Sequence, residues 1–192
     1  YFCVAGRKIL LWKGSDVTVE TEKIINMHTH IFPTKIAEKA VAAIGGFYEL
    51  NMAIGGTSQA LIDDGKPYGV CKYLVSSTAT TEHQVASINT FIAAECEKHP
   101  EFVGFGSLHP GLSKEEIFAE VDRIISLGLK GIKLHPDFQK FNIDDPIAYP
   151  IYEAANGRLP ILFHIGDNRY DYSHPARLNN ILEKFTDLVA IA

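Results

Sequence analysis

The stretch "GIKLHPDFQKFNIDDPIAYPIYEAANGRLPILFHIGD", residues 131–167, decides the reading of the fold. It opens with a short apolar run that stops at His135 and Pro136. A segment follows that begins behind Asp144 and Asp145 and stops at Gly157, which is how a capped helix is punctuated. The stretch closes on a second apolar run, Ile161 to Phe163, that stops at His164. Strand, helix and strand in that order make a βα unit, and such units build parallel sheets.

The same rhythm runs outward from this unit. Upstream, "GVCKYLVSS" (69–77) reads as a strand, and "TTEHQVASINTFIAAECEKHP" (80–100) as a helix with Thr80 or Thr81 as N-cap. "FVGFGSLHP" (102–110) reads as one strand. "SKEEIFAEVDRIISLG" (113–128) is a helix opened by a Ser113–Glu116 capping box and stopped by Gly128. Downstream, "HPARLNNILEKF" (174–185) is a helix and "LVAIA" (188–192) begins a strand. Nearer the start, "KIINMHTHIF" (23–32) is a strand, and helical spacing runs from Thr34 to Ile44. The Gly-rich residues 45–69 read as a long loop with a short helix, of the kind that forms lids. Residues 9–20, "ILLWKGSDVTVE", read as two short strands around a turn. The pattern predicts an α/β domain over 24–192 with about six strands, preceded by an N-terminal extension, 1–23.

Composition narrows the function. A chain of 192 residues is long enough for one domain with a sizeable core. The net charge of −5 and the lack of a basic block argue against nucleic acid as a partner. No apolar run is long enough to span a membrane. Cys3, Cys71 and Cys96 are far apart and form no metal or disulfide motif, which makes a reducing cytoplasm the default location. They read as small buried hydrophobes. The chain begins at Tyr1 and ends inside an apolar run, which reads as a segment of a longer protein.

Four strands finish in histidine: "INMHTH", "GSLHP", "IKLHP" and "LFHIG". Strand side chains alternate with period two, so His28 and His30 share a face opposite Ile25, Met27 and Thr29. The apolar set is expected to pack under helices. Two imidazoles on one face can grip an ion from one side, and His164 is the best candidate for a third. Imidazole suits zinc, iron, nickel or copper, and carboxylates would widen the range to manganese. Lys133 shares a face with His135 and could be a salt-bridge partner, a clamp for a substrate carboxylate, or a carbamylated bridging ligand. His109 and His135 each precede Pro and could anchor loops or serve the site. Asp167 could cap the next segment or orient His164. His83, His99 and His174 read as surface residues. Tyr170 and Tyr172 either line a pocket mouth or pack their loop.

"IINMHTHIFP", "GIKLHPDFQ" and "PILFHIGD", in that order, resemble the amidohydrolase superfamily, in particular the amidohydrolase-related branch that includes aminocarboxymuconate semialdehyde decarboxylase. The resemblance runs from about Ile24 to the last residue. It implies a (β/α)8 TIM barrel, of which this chain would supply roughly the first five to six βα units. It also implies one divalent ion at the barrel's C-terminal mouth, zinc first, with manganese or iron as alternatives. The family's first-strand His-x-His carries over to His28 and His30, and its fifth-strand histidine to His164, as ligands. The catalytic histidine and aspartate of later strands are expected beyond residue 192. Asn26 departs from the aspartate often found before the His-x-His, with a modest effect expected.

The implied activity is hydrolysis of a small amide, ester or lactone by metal-activated water, slightly ahead of nonoxidative decarboxylation of a small carboxylic acid. Lys133 and His135 would bind the substrate in either case, and Asp167 would support His164. Other readings are a binuclear site bridged by carbamylated Lys133, a phosphoesterase of a related barrel, and an inactive fragment or subunit completed by another chain. A small-molecule substrate is the expected partner, with room for a homo-oligomer.

Overall fold

A computed structural model of the protein describes residues 23–192. The two strands expected at 9–20, the rest of the N-terminal extension 1–23 up to residue 22, and Cys3 lie outside the described residues. The chain forms two compact units, the first ending at Leu74 and the second running Val75–Ala192.

In the first unit, strand β1 (Ile24–His30) neighbours β2 (Val70–Ser76). Ile24 N donates to Gly69 O, and Thr29 Oγ1 donates to Leu74 O at 2.7 Å. Thr29 is buried, whereas Ile25 and Met27 are 56% and 52% exposed. The expected packing of this apolar face under helices is therefore not made. β1 is the end strand of its sheet among the described residues.

Helix α1 (Thr34–Tyr48) runs past its expected end at Ile44. Gly45 and Gly46 read as breakers but lie inside the helix. At Gly45 a Cβ would meet the Leu50 carbonyl oxygen at 2.8 Å, so this glycine lets the chain fold back over the helix end. Glu49 stops the helix in the left-handed region, φ 55°. Thr57 then caps α2 (Ser58–Gly65) by accepting from Ala60 N. Only residues 49–57 of the expected 45–69 loop are irregular before that cap takes hold.

The second unit follows the predicted alternation. Helix α3 (Val85–Lys98) is preceded by one 3-10 turn, where Thr81 and Gln84 form a capping box. The single strand expected at 102–110 is two, β3 (Phe102–Gly104) and β4 (Gly106–Ser107). The chain changes partner between them: Phe105 N donates to Val75 O, and Gly106 N donates to Gly131 O. This raises the strands among the described residues to seven. Helix α4 (Lys114–Ser126) carries the predicted Ser113–Glu116 box and ends before Gly128, φ 75°.

Strands β5 (Ile132–Leu134), β6 (Ile161–Phe163) and β7 (Ala190–Ile191) join β4 in a parallel sheet ordered β4-β5-β6-β7. The register pairs Ser107 with Lys133, Lys133 with Leu162, and Leu162 with Ile191. Every residue of β5 and β6 is buried, as expected of a parallel sheet covered on both faces. In the chain, α6 (Tyr149–Ala155) lies between β5 and β6, and α7 (Pro175–Lys184) between β6 and β7. Asn89 of α3 is fully buried and ties to β4, accepting from Ser107 N and donating to Ser107 O and Glu120 Oε1.

Candidate metal centre

The parallel register places the ends of β5 and β6 side by side, so the residue after each strand meets its neighbour. Those residues are His135 and His164. His164 N extends the ladder by one bond, to Leu134 O at 3.0 Å. The two imidazoles stack at 3.9 Å between centroids, only 7° from parallel. His135 also stacks on Phe138 at 3.7 Å.

His135 is held from several directions. It caps the short helix α5 (Pro136–Gln139), its Nδ1 accepting from Phe138 N at 3.3 Å. That bond places the ring proton on Nε2. Its own backbone N donates to Gln139 Oε1. Gln139 Nε2 in turn donates to Ala79 O and Leu108 O, so one buried amide ties together the segments that follow β2, β4 and β5. Sequence reasoning passed over Gln139; its only trace is a polar residue four positions after a strand-end histidine.

Asp137 was also missed. It lies 3% exposed in α5, and neither carboxylate oxygen makes a hydrogen bond of normal geometry, the Ser173 side chain standing close enough only for a weak one. Its Oδ2 is 3.8 Å from His164 Nε2. His135, Asp137 and His164 each offer a donor atom, all within 4.8 Å of one another. A buried ionised carboxylate is costly: burial raises the Asp137 pKa, the Ser173 side chain offsets part of the rise, and the charge of Asp167 adds to it.

Burial also keeps His164 neutral. Its pKa falls to about 4, first through desolvation and then through the positive charge of Lys133. Lys133 is fully buried, and desolvation lowers its ammonium pKa to about 7. Asp167 pairs with Arg169 through both carboxylate oxygens, at 2.9 and 2.6 Å, which caps the loop after β6. It reaches His164 through its charge.

His28 and His30 share a face of β1, as predicted, with ring centroids 5.1 Å apart and planes at 73°. Asn26 Oδ1 accepts from His28 N, a bond that an aspartate there could equally make. His109 anchors its loop, Nδ1 accepting from Gly111 N. His174 caps α7 through Nδ1, and His99 packs on Phe102. Tyr170 and Tyr172 stack on each other at 5.9 Å. The buried Asp137 carboxylate and the neutral His164 imidazole are donors that fit a divalent ion.

Residues 25–192 match the family model described as Amidohydrolase. The chain belongs to the amidohydrolase family. No curated protein matches this amidohydrolase chain. Among solved structures it is similar to 5-carboxyvanillate decarboxylase from Sphingomonas paucimobilis, at 17% identity and a TM-score of 0.61 over 88% of this chain. It is also similar to 5-carboxyvanillate decarboxylase from Novosphingobium aromaticivorans complexed with manganese and 4-hydroxy-3-methoxy-5-nitrobenzoic acid, at 18% identity and a TM-score of 0.69 over 89% of this chain. The chain spans 66% and 65% of the length of these two structures. The likeness establishes the fold: α/β with parallel strands that match part of a TIM-barrel amidohydrolase. No helix among the described residues is long and apolar enough to cross a membrane.

Proposed function

We propose that this amidohydrolase chain belongs to a divalent-metal-dependent enzyme that hydrolyses a small amide, ester or lactone bearing a carboxylate. The observation that carries the reading is the buried carboxylate of Asp137 beside the neutral His164. His28, His30 and His164 are the proposed ligands. Family membership supports the assignment, as does the meeting of His28 and His30 on one face. A bound divalent ion, zinc, manganese or iron, supplies Lewis-acid polarisation of a substrate oxygen and a lowered pKa for water.

The chain's own residues do the rest. His164 is neutral at physiological pH and so keeps a lone pair for coordination. His135 keeps its proton on Nε2 and can donate it to a substrate oxygen. Lys133, next to His164 in electrostatic effect, receives the substrate's negative charge. The burial of these groups strengthens each of these interactions by lowering the local dielectric. A cytoplasmic enzyme is the reading consistent with the cysteine pattern.

A second reading, nonoxidative decarboxylation, is favoured by the two decarboxylase structures, one of them solved with manganese and a nitrobenzoic acid. The test is metal analysis of the purified protein, followed by assay with and without a chelator on carboxylated lactones, amides and hydroxybenzoic acids. Hydrolysis that is lost on chelation and restored by metal supports the first reading. Carbon dioxide release selects the second. Activity indifferent to chelation overturns both.

A further inference from the structure

We propose that Asp137 is a carboxylate ligand of the ion that His164 holds, and that His135 braces His164 without binding the ion. The proposal rests on the reading that His164 is a metal ligand. Three observations carry it. First, Asp137 Oδ1 and Oδ2 are buried with no hydrogen bond of normal geometry, only a weak one from the Ser173 side chain, and such a carboxylate favours a cation or a proton beside it. Second, its Oδ2 lies 3.8 Å from His164 Nε2. That is too long for a hydrogen bond. Two donors on one ion, with bonds of about 2.1 Å at angles from tetrahedral to about 130°, stand roughly 3.4–3.8 Å apart.

Third, His135 is disqualified by its own bonds. Its Nδ1 is occupied by Phe138 N–H, which leaves the proton on Nε2. Its ring is 7° from parallel to that of His164 at 3.9 Å, so the in-plane lone pairs of the two rings run side by side and do not converge. An ion in the plane of one ring would stand off the other by nearly the stacking distance. The stack instead fixes the orientation of His164, and Phe138 backs it from beyond His135. A carboxylate in the donor set also widens the metals accepted towards manganese.

The experiment is Zn2+ and Mn2+ binding by the purified protein, measured by competition with a chromophoric chelator, together with the Co2+ absorption spectrum. Asp137→Asn is expected to weaken Zn2+ binding by at least about tenfold to a hundredfold, to weaken Mn2+ binding more, and to change the Co2+ spectrum. His135→Phe keeps the stack and removes both nitrogens; it should hold Zn2+ within about tenfold of wild type. Asp137→Ser serves as the second variant if Asp137→Asn does not fold. Wild-type Zn2+ affinity in either Asp137 variant, with binding lost in His164→Ala, overturns the proposal and leaves the metal reading standing. Loss of binding in His135→Phe as complete as in His164→Ala overturns the brace assignment. A wild-type protein that binds none of the three metals overturns the metal reading itself, and this proposal with it.

Discussion

Two groups of strand-end histidines in this chain have the same kind of sequence and very different surroundings. At the end of β1, His28 and His30 meet edge to face at 5.1 Å, His28 exposed and His30 half-buried, on an end strand whose Ile25 and Met27 are also exposed. At the ends of β5 and β6, His135 and His164 stack flat at 3.9 Å, with the buried Asp137 carboxylate 3.8 Å from His164 Nε2, among strands whose every residue is buried. The first pair comes from one strand and needs only period-two alternation. The second comes from two strands and needs their register. A pair within one strand is available as soon as the strand forms, while a pair across strands is rigid because the surrounding core holds both ends.

The comparison is broken most directly at His164. His164→Ala is expected to abolish retained metal after gel filtration, while His28→Ala, with His30 left in place, should reduce retention without abolishing it. Metal analysis of the eluted protein checks this. Equal losses in the two variants would show that burial adds nothing to the second group.

Lys133 tests what burial costs. Its folded pKa, about 7, lies below the unfolded value near 10.5. Between those values the unfolded chain binds more protons, so stability rises with pH from about 7 to 10.5. Lys133→Met should therefore stabilise the protein by about 2–4 kcal/mol below pH 7, with a gain that shrinks towards pH 10. The same substitution should raise KM for a carboxylate substrate. Urea midpoints at pH 6, 8 and 10 measure the first effect; a flat difference across them would contradict the assigned shift.

The two units differ in backbone anchoring as well. Asn89→Ala removes two buried hydrogen bonds and one part-buried one, and takes a partner from both the backbone N–H and the C=O of Ser107, an expected loss of about 2–3 kcal/mol. In the first unit, Thr29→Val removes one bond to Leu74 O, an expected loss of about 1 kcal/mol. Urea unfolding of both variants gives the ratio directly.

Much of this molecule is legible in the one-dimensional pattern. The βα rhythm, the Ser113–Glu116 box, the stop at Gly128 and the shared face of His28 and His30 all follow from local rules, because caps, left-handed glycines and strand alternation act over a few residues. The family resemblance rests on the same short motifs, and the match over residues 25–192 agrees with it. Other features depend on residues distant in the chain. The strand at 102–107 divides because Phe105 and Gly106 donate to different neighbours. Asp137 looks like an ordinary polar residue after a proline, and only the packing of β5, α5 and β6 strips both its oxygens of water. Period and capping are therefore written in the sequence itself. Burial and register were decided by the tertiary structure, because each is set by atoms that the chain brings together from far apart.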